Sequence, residues 1–116
     1  MDYDKALAIY EGLVADYPDL KVKGKANRYT SMNGNMFSFL NKDDATLCFR
    51  YSEADKKAYN ETNGTSDVIS YGAVMRGYVV ITPEIMADRA ALQDHFDRCV
   101  EHAKTLKPKP TKKPKK

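Results

Sequence analysis

At 116 residues, 42% of them apolar and 30% charged, the chain has room for one hydrophobic core and the composition of an ordinary globular protein. No apolar run approaches the roughly 20 residues of a membrane-spanning helix. The start Met1-Asp2-Tyr3-Asp4-Lys5 is acidic and lacks the apolar stretch of a signal peptide, so the expected location is cytoplasmic, with no membrane partner. The net charge of +3 is unevenly divided: residues 107–116 hold Lys107, Lys109, Lys112, Lys113, Lys115 and Lys116 and no acid, which leaves −3 on residues 1–106. The expected organisation is a single domain over 1–106 and a disordered Lys/Pro tail over 107–116.

The first element is a helix. Ala6, Ile9, Tyr10, Leu13, Val14 and Tyr17 recur at helical spacing against Asp4, Lys5, Glu11 and Asp16, and Pro18 ends the run. Tyr3, Tyr10 and Tyr17 fall seven apart on nearly one line. Such a stripe is either core or binding face, and burial against a sheet is the expectation.

Residues 26–51 read as three antiparallel strands. Met32-Asn33-Gly34-Asn35 predicts a type I′ hairpin, since Asn-Gly accepts the positive φ values of that turn. Asn41-Lys42-Asp43-Asp44 is a polar connection of hairpin length, and its acidic pair reads as turn chemistry. Beyond it, Leu47, Phe49 and Tyr51 alternate with Thr46, Cys48 and Arg50 as in a half-buried strand. A two-residue turn pairs Met32 with Asn35, and therefore Thr30 with Phe37 and Arg28 with Phe39. That register puts Phe37 and Phe39 on one face and Tyr29, Met36 and Leu40 on the other. Neither face is polar, so either both are covered within the chain or one meets a partner. Phe37, Phe39, Met36 and Leu40 are the candidate protein-contact residues.

Ser52 is placed to cap a short helix reaching about Asn60, with a turn over 61–67. Residues 68–71 and 77–81 are predicted strands joined through Gly72, and Pro83-Glu84 opens a helical turn. Asp88 caps a final helix whose apolar line is Leu92, Phe96, Cys99, Val100, Ala103 and Leu106, stopped at Lys107-Pro108. The order α-β-β-β-α-β-β-α implies an α+β fold in two layers, an antiparallel sheet with helices packed on it.

Three short motifs resemble the TfoX/Sxy N-terminal domain family. Met32-Asn33-Gly34-Asn35-Met36 is similar to its Asn-Gly-x-Met hairpin, and Met75-Arg76-Gly77-Tyr78-Val79 to its Met-Lys/Arg-Gly-Phe/Tyr-Val strand start. Ala103-Lys104-Thr105-Leu106-Lys107-Pro108 is similar to its closing Ala-x-Ser-Leu-Pro-Pro. The resemblance, over residues 26–108, implies the same two-layer α+β fold. Its best-known members regulate natural competence, and it brings no catalytic residues with it. Where the family carries Met-Phe-Gly-Gly, this chain reads Lys25-Ala26-Asn27-Arg28, and a lysine tail stands where competence regulators have a second domain.

No Gly-x-Ser-x-Gly, Cys-His signature or Gly-rich phosphate loop occurs, so the chain is expected to be neither an enzyme nor a cofactor protein. His95, Cys99 and His102 share a helix face at i, i+4 and i+7, a spacing that suits zinc if a fourth ligand comes from elsewhere. But Cys99 lies inside the apolar stripe and the histidines at its edge, so packing and no metal are the expectation. Cys48 and Cys99 are too few for a disulfide framework and are expected as packed thiols. The tail lysines, with Arg28, Arg50 and Arg76 and the group Lys21, Lys23 and Lys25, are the candidate polyanion contacts. The function expected is that of a small non-enzymatic regulatory or adaptor domain that binds a protein partner or itself. The alternative is a nucleic-acid-associated protein held non-specifically by its tail.

Overall fold

The computed structural model describes residues 2–25, 27–70 and 72–108. In chain order the elements are helix α1 (Tyr3–Val14), strands β1 (Arg28–Met32), β2 (Asn35–Asn41) and β3 (Thr46–Arg50), helix α2 (Glu53–Asn63), strands β4 (Val68–Ser70), β5 (Ala73–Met75) and β6 (Tyr78–Val80), and helices α3 (Pro83–Met86) and α4 (Arg89–Lys104). The fold is α+β in the expected order, with one further short strand, β5, that the sequence reading lacked. An antiparallel sheet runs β1-β2-β3-β6, and β4 and β5 pair separately.

Each helix begins at a side-chain cap, Ser52 and Asp88 where the sequence places them. Asp2, Ser52, Thr82 and Asp88 each accept a hydrogen bond from a backbone N–H in the first turn of α1, α2, α3 and α4. Their ends differ from expectation. α1 stops at Val14, not Tyr17, because a helix continued into Pro18 would drive its ring against the Val14 carbonyl, four residues back. α2 runs past Asn60 to Asn63, where Gly64 at φ 68 closes it with a left-handed cap.

The Asn33-Gly34 turn has φ values of 54 and 81, as a type I′ hairpin requires. The register beyond it is not the expected one. Ser31 pairs with Met36 but Thr30 pairs with Ser38, so Phe37 is an extra residue in β2. Such a bulge reverses the alternation of side chains past it. Phe37 and Leu40 therefore join Leu47 and Phe49 in the core under the helices, while Phe39 lies in the opposite core with Tyr29 and Met36 packed on it. The expected pairs Thr30–Phe37 and Arg28–Phe39 are replaced by Thr30–Ser38 and Arg28–Leu40.

The larger core lies between the sheet and the helices. Phe96 of α4 touches the rings of Phe37, Phe49 and Tyr17 at centroid distances of 6.2, 5.5 and 5.7 Å. Tyr10 is buried and hydrogen-bonded to Ser38 at 2.6 Å, and Tyr3 and Tyr17 pack on the same core. The tyrosine line thus faces inward. On the other side of the sheet, Phe39, Cys48 and Tyr78 are covered by Val68 and Met75 of the β4–β5 hairpin. Both sheet faces are covered within the chain. Phe37, Phe39 and Leu40 are 0%, 2% and 0% exposed, so they hold the chain together and do not form a contact surface; Met36 is half-buried.

Candidate functional site

The β4–β5 hairpin presents two opposite faces. Val68 pairs with Met75 and Ile69 with Val74. Side chains alternate along each strand, so when Val68 and Met75 turn to the sheet, Ile69 and Val74 turn to solvent. They are 55% and 51% exposed, and among the described residues they are the large hydrophobic side chains left in water. Opposite charges flank them: Asp67, bound to Lys56 Nζ at 3.1 Å, precedes β4, and the exposed Arg76 follows β5. Among the described residues the strands of this hairpin pair only with each other, so each keeps a backbone edge unpaired by them.

A cleft of about 360 Å³ opens between α2 and α4. One flank of α2 lines it because α2 packs on β6 instead, where Tyr59 donates its hydroxyl to the Val80 carbonyl at 2.6 Å. Tyr51, Tyr59 and His95 line its inner end, Tyr59 standing edge-on to both other rings. The Tyr51 hydroxyl lies 2.6 Å from His95 Nδ1. Burial lowers the pKa of His95, with the Arg98 charge acting in the same direction. Burial also pushes Tyr59 up to about 12 and raises Tyr51. These groups are neutral near pH 7. At the mouth, Arg98 Nη1 and Asp55 Oδ1 face each other at 3.9 Å, too long for a hydrogen bond.

The candidate zinc ligands are not brought together. Cys99 is fully buried in the larger core, and burial raises its thiol well above the usual range, which disfavours the thiolate a metal needs. The Nδ1 of His95 is taken by Tyr51, and His102 lies farther along α4, its pKa also lowered by burial. Among the described residues no group of three His, Cys, Asp or Glu side chains is placed to hold a metal ion. Cys48 sits in the smaller core, across the sheet from Cys99, and burial moves its thiol up to about 12. In the second turn Asp44 accepts from the Thr46 N–H, and Asp43 is exposed.

The basic residues fall into separate places. Arg28 begins β1, aligned with Leu40 and Leu47, and Lys23 pairs with Tyr29 alongside it. Lys21, Lys23 and Lys25 are exposed there. Arg50 is at the other end of the sheet, aligned with Tyr78, and Arg76 precedes that strand. Lys107 is at this second end, its carbonyl accepting from the Asn35 amide at 2.8 Å. Lys109, Lys112, Lys113, Lys115 and Lys116 lie outside the described residues.

Ile69 fell inside an expected strand, but without β5 nothing paired it with Val74. Val68-Ile69 and Val74-Met75 each put an apolar residue on both faces of a three-residue strand, too short a run for alternation to select a face. No helix among the described residues is long and apolar enough to cross a membrane. Compared with known proteins, the chain matches no family model, no curated protein and no solved structure.

Proposed function

We propose that this chain is a non-enzymatic regulatory or adaptor domain that binds another protein through the outer face of the β4–β5 hairpin. The observation that carries this reading is the Ile69–Val74 pair. Two large aliphatic side chains stand in water, side by side, on a strand pair with open edges. An extended apolar segment of a partner can add to such an edge and cover both side chains, combining backbone hydrogen bonds with apolar contact. Asp67 and Arg76 at the margins give a polar rim that fixes orientation. The non-enzymatic part rests on the absence of a catalytic motif from the sequence. The three motifs similar to the TfoX/Sxy N-terminal domain family support a regulatory role.

The test is Ile69→Lys with Val74→Lys. Both positions point outward, so the double variant is expected to melt within about 1 kcal/mol of the parent chain. Proteins retained by the immobilised parent chain and lost from the variant, identified by mass spectrometry and rebuilt from purified components, are the expected partners. A rebuilt complex that binds both forms equally overturns the assignment of this face.

A second reading has its own observation. The tail leaves beside Asn35, and the neighbouring Met36 carbonyl accepts from Arg50 at 3.5 Å, so a basic side chain stands where the lysine tail begins. This corner suits a polyanion such as nucleic acid.

A further inference from the structure

The cleft between α2 and α4 is separate from the hairpin and does not depend on its role. Its volume, about 360 Å³, is near the lower end of ligand sites, the scale of one small metabolite and not of a dinucleotide. Its inner end is aromatic and Ile85 and Ala58 add apolar wall. The mouth carries one full charge of each sign. Asp55 and Arg98 approach only to 3.9 Å, and among the described residues neither charged head makes a hydrogen bond. Their side chains are 42% and 56% exposed, so both can swing without disturbing the core.

We infer that this cleft binds a free α-amino acid with an apolar side chain, its ammonium on Asp55 and its carboxylate on Arg98. The guanidinium offers a planar fork of donors that matches a carboxylate, and a carboxylate accepts an ammonium with the same economy. His95 lines the same cleft, its Nδ1 2.6 Å from the Tyr51 hydroxyl, which also lies 3.2 Å from the His95 carbonyl. The apolar side chain meets Ile85, Ala58 and the edge of Tyr59. The surroundings argue against either half of the ligand alone. Asp94, Asp97 and Glu101 line the groove that continues from Asp55 and Arg98, so a simple anion meets repulsion at the mouth. A simple cation leaves Arg98 without a partner. A zwitterion satisfies both charges in place of the loose pair they form now.

The experiment is a titration of the full chain with L-leucine, followed by amide chemical shifts, beside two half-ligands of the same shape. These are 4-methylpentanoate, which lacks the ammonium, and 3-methylbutylamine, which lacks the carboxylate. Saturable shifts are expected at residues 55–62 and 95–98 with leucine, and at least about tenfold weaker binding of each half-ligand, near 1.4 kcal/mol. Arg98→Gln and Asp55→Asn, both exposed at the mouth, are each expected to weaken leucine at least tenfold. Absence of saturation by about 10 mM leucine overturns the proposal, since that limit corresponds to less than 3 kcal/mol of binding. Equal affinity for 4-methylpentanoate also overturns it, because Asp55 then plays no part. The half-ligand comparison uses the parent chain alone and holds whether or not a variant folds.

Discussion

His95 is held in the fold as a neutral ring, stacked on Tyr51 and edge-on to Tyr59. Burial lowers its pKa and that of His102 below the ordinary 6.5. An unfolded chain therefore takes up protons on these rings at a pH where the folded chain does not. The stability they contribute is complete above pH 6.5 and declines as the pH falls from there toward the folded pKa values. The melting temperature is expected to be lower at about pH 5.5 than at about pH 7.5, and replacing both histidines by Gln should flatten that difference in calorimetry. The individual rings were visible in the sequence as positions on one helix, but their partners were not. Tyr51 is 44 residues from His95, and only the docking of α4 on β3 brings hydroxyl and imidazole together. Cys99 shows the opposite case. Its place in the apolar line of the last helix announced burial, and burial is what removes it from a metal site.

Helix ends and strand register were legible to different degrees, for physical reasons. Caps are local chemistry, so Ser52 and Asp88 could be read directly, as could the left-handed Asn33-Gly34 turn. The bulge at Phe37 could not, because Met36-Phe37-Ser38-Phe39-Leu40 is apolar on both parities and the pattern selects no register. Packing selects it: Ser38 must reach Tyr10 under α1, and Phe37 must reach Phe96. Two glycines, one inside α1 and one capping α2, test the helix accounts in opposite directions. Gly12 lies inside α1, and a methyl added there meets only Arg89 Nη2 at 3.9 Å, an ordinary contact. Gly12→Ala is expected to stabilise by about 0.5–1 kcal/mol through helix propensity. Gly64 has open space around it but φ +68, so Gly64→Ala is expected to cost about 1 kcal/mol through backbone strain alone. Chemical denaturation of the two variants reads both signs.

At the scale of the whole molecule, the reading of an antiparallel sheet with helices on it was sound, and the missing piece was the cover on its other face. Three-residue strands carry too little pattern to announce a hairpin, so β4–β5 was read as a strand and a link. The charge division, by contrast, was plain from composition. If the tail is what meets nucleic acid, duplex affinity should fall with salt at a log–log slope on the order of −5 for six lysines. Replacing Lys109, Lys112, Lys113, Lys115 and Lys116 by Gln should remove most of that slope in a fluorescence anisotropy titration; an unchanged slope would assign the binding to Arg50 and Arg76 on the folded body. The two cores also differ in size, the larger held by α1 and α4 and the smaller closed by Val68 and Met75 of a six-residue strand pair. Lifting that pair costs far less than undoing the helices, so the protein has a partial opening available short of global unfolding. Each core contains one cysteine, Cys48 in the smaller and Cys99 in the larger. The chain thus carries its own pair of clocks: the rate at which a thiol reagent reaches Cys48 times the departure of the hairpin, and the rate at Cys99 times the loss of the fold.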